Sequence, residues 1–194
     1  MADFETAFNV TDQAEGRYDN DKDDRGGETY RGRARKFNPE WPGWIIIDSM
    51  KARKDFPECL DANEELQRLV KESYRQIEWN GIQGDKISNQ AIANEVYDNA
   101  VNMGVKRSVE YLQRTINILN RNQRKDMYLD IKVDGSMGAK TIEALKVCIK
   151  KNTANMVLNV LNGFQVKHYL TLMERNPIDE KWIGWFKRVE IMWN

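Results

Sequence analysis

The chain is poor in the residues that metal, redox and thiol chemistry require. It holds one histidine, His168, and two cysteines, Cys59 and Cys148. A zinc amidase needs several histidine ligands, and no His/Cys cluster suggests structural zinc. Two cysteines are no disulfide framework, so a free or core role suits each. A Cys–His peptidase would have to pair His168 with one of them, yet both lie in ordinary helical contexts without a supporting motif. No metal or other cofactor is expected. Net charge is also lacking, since 30 Lys and Arg balance 30 Asp and Glu. Nothing therefore demands nucleic acid as a partner. No apolar run approaches the roughly 18 residues of a membrane span. The start, Met1-Ala2-Asp3-Phe4-Glu5, has neither the basic nor the apolar stretch of a secretory leader. The expectation is synthesis in the cytoplasm.

What is present is ordinary for a globular protein: 194 residues, 41% hydrophobic and 31% charged. That is enough for one domain or two small ones sharing a core. The charge is uneven, with acids dominating 1–30 and bases dominating 31–54. Two solvated faces explain this, and so does a basic rim beside an acidic cleft suited to a polyanionic substrate.

Apolar periodicity predicts a mainly α chain. Phe4, Ala7, Phe8, Thr11 and Ala14 mark a helix over 3–16. Residues 17–40 are rich in glycine and charge and read as a loop with at most a small hairpin around 29–31. A short helix runs from Trp44 to about Lys54, and a long one from Leu60 to about Trp79. Ser88 is a good N-cap for the next, whose face carries Ile92, Val96, Ala100 and Met103. After Gly104, Val105 to Leu119 continue helically. Residues 121–137 form a polar connection with a turn at Asp134-Gly135, and helices follow at about 139–150, 153–175 and 179–192.

The most informative stretch is the end of the first helix. Glu15 stands in Ala14-Glu15-Gly16-Arg17-Tyr18, followed by an acidic loop and then Arg25-Gly26-Gly27-Glu28-Thr29-Tyr30. Asp19, Asp21 and Asp23 alternate, which invites a calcium loop. An EF-hand wants Gly at its sixth position and Glu at its twelfth, where this chain has Asp24 and Tyr30. Sugar cleavage fits better. It needs one carboxyl group that donates a proton to a leaving oxygen, kept protonated by burial or a neighbouring carboxylate. Glu15 suits that role. Asp24 can face it across a cleft to hold a water or stabilise positive charge, and Thr29 can orient that water. Gly26 and Gly27 permit unusual backbone angles and leave space for a bulky ligand.

These residues resemble glycoside hydrolase family 108, the lysozyme-like N-acetylmuramidases. Glu15-Gly16-Arg17-Tyr18 is similar to the Glu-Gly-Gly-Tyr signature, and Asp24 through Thr29 to its Asp-x-Gly-Gly-x-Thr segment. Tyr97-Asp98-Asn99-Ala100-Val101-Asn102-Met103-Gly104 resembles the family's Phe-Asp-x-x-Val-Asn-x-Gly block. Leu112-Gln113, Val133-Asp134-Gly135, Gly138 and Thr141 look like the predicted peptidoglycan-binding module that usually follows, and Trp185 to Arg188 resembles its closing pattern with altered order and spacing. The resemblance implies a mainly α, lysozyme-like fold: a helical bundle with a small irregular or β-hairpin region after the first helix. It divides the chain into a catalytic region, 1–90, and a helical module, 91–194, packed together as one compact unit.

It also implies cleavage of the β-1,4 bond between N-acetylmuramic acid and N-acetylglucosamine in bacterial peptidoglycan. Glu15 matches the catalytic glutamate, and Glu15, Asp24 and Thr29 look like the triad of phage-type lysozymes. Tyr18, Gly26, Gly27, Asn102 and Gln113 are the expected substrate contacts, with helix packing an equal reading for Asn102 and Gln113. Trp41, Trp44 and Trp79 suit either sugar stacking or the core. One departure stands out: Arg17 replaces the family's second glycine. It can pair with Glu15 and hold it ionised, or point outward to wall carboxylates. A lytic transglycosylase and a non-catalytic wall-binding or secretion-accessory protein are the competing functions. With no leader, the expected route to the wall is a holin-like pore, another export device or lysis.

Overall fold

The computed structural model describes residues 1–12, 17–20, 27–120, 130–176, 183–186 and 189. Among these, seven α-helices and one three-stranded antiparallel sheet are present. Packing divides the chain into a smaller compact unit, residues 8–77, and a larger one, residues 1–7 with 78–194.

Helix α1 spans Phe4–Asp12. Phe4, Ala7, Phe8 and Thr11 are all buried, as their helical spacing demands. Asp3 Oδ1 accepts the Thr6 N–H at 2.9 Å and so caps the first turn. The last residues of the predicted 3–16 helix, 13–16, lie outside the described residues.

In the smaller unit, β1 (Tyr18–Asp19), β2 (Thr29–Tyr30) and β3 (Arg33–Ala34) pair in that order. Tyr18 lies opposite Tyr30, Asp19 opposite Thr29, and Tyr30 opposite Arg33. Arg31 and Gly32 make the turn between β2 and β3 with φ of 42° and 73°. Two successive left-handed residues match the right-handed twist of the flanking strands. The sheet is therefore larger than the single hairpin expected, because a two-residue strand carries no periodic signal.

Helix α2, Gly43–Met50, buries Trp44 and Ile47. It stops four residues short of the expected Lys54, and turns follow. Helix α3, Glu64–Tyr74, begins later than expected because Leu60 belongs to a separate 3-10 turn, Glu58–Leu60. Asn63 then caps α3, its side chain accepting the Leu66 N–H at 2.9 Å. Beyond Tyr74 the helical hydrogen bonding widens into a π-helical segment, Arg75–Trp79. The β2–β3 turn docks on α3: the Tyr74 hydroxyl donates to Arg31 O at 2.7 Å, and the Arg33 guanidinium lies 3.8 Å above the Tyr74 ring.

The larger unit is built on an aromatic cluster. Phe4, Trp79 and Tyr97 meet pairwise with centroids 5.7–6.1 Å apart, in the tilted and edge-to-face arrangements that ring quadrupoles favour. Helix α4, Gln90–Met103, is capped by Asn89 and not by the expected Ser88. Asn89 is extended and its Oδ1 reaches the Ile92 N–H at 3.0 Å, three residues on. Gly104, with φ of 86°, turns the chain into α5, Val105–Asn120. Helices α6, Ala139–Lys151, and α7, Ala154–Arg175, complete the unit, with α4, α5 and α7 packed on one another. The helix expected over 179–192 falls mostly outside the described residues, of which 183–186 form a 3-10 turn. Cys59 and Cys148 are both buried and form no disulfide.

Candidate active site

Glu15, Asp24 and Gly26 lie outside the described residues. The sheet fixes Tyr18 and Thr29, and Gly27 leads into it. Antiparallel pairing sets Tyr18 and Thr29 on adjacent strands. Gly27 enters β2 with φ of 65°, a conformation that disfavours any side chain. Among the described residues nothing lies within 4 Å of where its β-carbon would stand, so no described residue covers that side of the chain. The Thr29 hydroxyl donates to Gly27 O at 3.0 Å, which fixes its rotamer. Its lone pairs are left as the acceptors of one further group.

Between Gly27 and Thr29 stands Glu28, which sequence reasoning passed over. Its carboxylate is only 12% exposed. It accepts the Tyr18 hydroxyl at 3.0 Å and the Lys51 ammonium at 2.7 Å. Arg35 Nε stands 2.6 Å from its other oxygen, a close ion pair without an aligned N–H. Arg35 then forks onto Asp48 at 3.0 and 2.6 Å, and Lys51 also reaches Asp48 at 2.7 Å. The Arg35 guanidinium lies 4.5 Å from the Trp44 ring. Tyr18 on β1, Glu28 before β2 and the α2 helix are thus tied into one network. The Asp48–Lys51 spacing of three was its only legible sign.

The network carries a pH dependence. The Arg35 fork, aided by Lys51, holds Asp48 down at about 2. Burial pushes Glu28 up, but Lys51, Tyr18 and Arg35 together outweigh it and leave it below the ordinary value. Both carboxyls are depressed on folding, so their stabilisation is complete above the unfolded carboxylate range and lost as pH falls through the folded values. The urea midpoint is expected to decline between about pH 4 and pH 2, and Asp48→Asn to shrink that decline. The change is modest, because Asp48 is about half exposed.

Arg17, the departure from the family pattern, pairs with Asp61 among the described residues. Its Nε stands 3.2 Å from Asp61 Oδ2, with the side chain 78% exposed. Asp61 also accepts the hydroxyl of buried Tyr30 at 3.3 Å. The two remaining expected contacts belong to the larger unit. Asn102 Nδ2 donates to the backbone and side chain of Asp98, both at 2.8 Å. Gln113 is 1% exposed. Its amide nitrogen faces Asp134 Oδ1, Ser136 O and Thr141 Oγ1 at 3.0–3.2 Å. Its oxygen accepts the Asp134 and Gly135 N–H groups at 2.9 Å. Gln113 borders a cleft of about 670 Å³ between α6 and the 130–138 segment. Trp44 and Trp79 are buried in the core, while Trp41 is half-exposed.

The family model for Glycosyl hydrolase 108 matches residues 8–104, half of the chain and the whole region that holds this sheet. The chain belongs to glycosyl hydrolase family 108. Residues 107–190 match the Predicted Peptidoglycan domain. In the family 108 chain the first match ends at the Gly104 corner between α4 and α5, well beyond the packing boundary at Ile77. No curated protein matches the sequence significantly. Among solved structures, Brucella abortus SagA is similar with a TM-score of 0.62 and 22% identity, over 96% of this chain and 88% of that one. The fold is mainly α and lysozyme-like, with the small sheet after the first helix. The two matched families make the chain a peptidoglycan hydrolase of the glycoside hydrolase class, acting on the bacterial cell wall. Among the described residues no helix is long and apolar enough to cross a membrane.

Proposed function

We propose that this family 108 chain is an N-acetylmuramidase, cleaving the β-1,4 bond between N-acetylmuramic acid and N-acetylglucosamine. Glu15 protonates the glycosidic oxygen. Asp24 stabilises the oxocarbenium-like charge on the sugar or activates the attacking water. The observation that carries the reading is the fixed Thr29 hydroxyl beside Gly27, whose β-carbon position no described residue crowds, inside the segment that matches the family. With its proton committed to Gly27 O, Thr29 can only accept from the water and so orients it with a lone pair toward the anomeric carbon. Tyr18, Gly26 and Gly27 are the proposed sugar contacts. A separation of roughly 6.5–9.5 Å between the Glu15 and Asp24 carboxyls gives inversion, and about 5–5.5 Å gives retention.

The test is the chemistry of the new chain ends. Purified sacculi digested with the protein are expected to yield muropeptides with a reducing N-acetylmuramic acid, each having gained one water. Products lighter by one water would make the chain a lytic transglycosylase. A reducing N-acetylglucosamine would move the cleaved bond.

A further inference from the structure

A groove of about 570 Å³ lies wholly within the smaller unit, between the 37–42 loop and the end of α3. Among the described residues, the candidate catalytic Thr29 does not line it. Its size falls in the range of small-ligand sites. Trp41 is its fixed aromatic surface. The Trp41 indole packs over Gly43, where a β-carbon would stand 2.3 Å from the ring, and meets Trp44 edge-on at 5.1 Å. Its Nε1 donates to Leu69 O at 3.4 Å. Pro39 and Pro42 stiffen the loop, and Asn38 ties it back by donating its side-chain N–H to Ala34 O at 3.1 Å.

The opposite wall is the π-helical segment. The widened turn leaves Gln76 exposed and Ile77 47% exposed at the groove, and such turns recur at functional sites. Phe37, 69% exposed, adds a second ring, with Lys36 Nζ 5.9 Å from its centroid. The polar rim consists of Asn38, Glu40, Glu72, Ser73 and Gln76, with no basic residue lining the groove among the described residues. Arg68 pairs with one Glu72 oxygen at 2.8 Å, and Gln76 stands 3.4 Å from the other.

We propose that this groove binds an uncharged, N-acetylglucosamine-containing glycan chain, as an anchoring site separate from the cleavage site. A pyranose has one apolar C–H face and a rim of hydroxyls. Two aromatic rings beside carboxylate and amide acceptors complement both. With Glu72 neutralised by Arg68, Glu40 is the remaining acid of the lining and no described lining residue is basic, so the groove offers phosphate polymers and peptide carboxylates no cationic partner and suits the neutral sugar. The assignment rests on the reading of the substrate as peptidoglycan glycan.

The test titrates the full ¹⁵N-labelled chain, wild type and Glu15→Gln, with a β-1,4-linked N-acetylglucosamine tetramer. The Trp41 indole N–H and the backbone amides of 72–77 are expected to shift in both. Phe37→Ala should weaken binding about two- to tenfold without changing the thermal midpoint, since an aromatic contact is worth roughly 0.5–1.5 kcal/mol beyond its area. Gln76→Ala is a second exposed variant that should weaken binding as well. Wild-type affinity in both variants, or shifts confined to residues outside 37–42 and 72–77, would overturn the proposal. Sacculus digestion is measured in parallel. Digestion without groove shifts refutes the groove and leaves the hydrolase reading standing. Groove shifts without digestion refute the hydrolase reading and support the groove.

Discussion

Glu15→Gln is expected to lower muropeptide release from purified sacculi by at least about 10²-fold, the lower bound for a lost general acid, with the thermal midpoint unchanged. The amide has the shape of the carboxyl group but no proton acidic enough for a leaving sugar oxygen. A general acid must stay protonated near neutral pH, and a cation held beside it would prevent that. Arg17, two residues on, is the obvious threat. Its guanidinium is ion-paired with Asp61, which Tyr30 also holds. The positive charge that replaces the family's glycine thus faces Asp61, a carboxylate it shares with Arg31 at 4.0 Å, and activity in the wild-type chain is the expected outcome.

The largest effect on stability is expected at Gln113. Gln113→Ala should lower the free energy of unfolding by about 3 kcal/mol, read from urea denaturation. The buried amide bonds both ends of the 134–136 turn and the first turn of α6. Its nitrogen has two hydrogens for three acceptors, so one bond is shared. Each hydrogen bond contributes about 0.5–1.5 kcal/mol net, and each donor stranded in the interior costs about 1–3 kcal/mol. Alanine removes the first and leaves the Asp134 and Gly135 N–H groups facing a void. A loss below about 1 kcal/mol would mean that water replaces the amide at little cost.

The helices were legible because a buried stripe needs one apolar residue per turn, as in Phe4, Ala7, Phe8 and Thr11. Their ends were less so. Ser88 and Asn89 are equally good caps on paper, and only the backbone angle at Asn89 decides between them. The three strands are too short for any periodicity to register. In the site, the spacing of Glu15, Asp24 and Thr29 suggested the chemistry. The supporting Glu28–Arg35–Asp48–Lys51 network joins residues from a loop, a strand end and a helix, and no local pattern links them. Gln113 shows the opposite limit: the position was visible in the motif, but the direction of its amide depends on a turn more than twenty residues away. Trp41 likewise differs from Trp44 and Trp79 through tertiary packing alone.

The most direct measurement is a side-by-side digestion of purified peptidoglycan by the wild type and Glu15→Gln, with mass and reducing-end analysis of what is released. The wild type should release muropeptides ending in reducing N-acetylmuramic acid, and the folded variant should release none above background. The same muropeptides from Glu15→Gln at the wild-type rate would contradict the account.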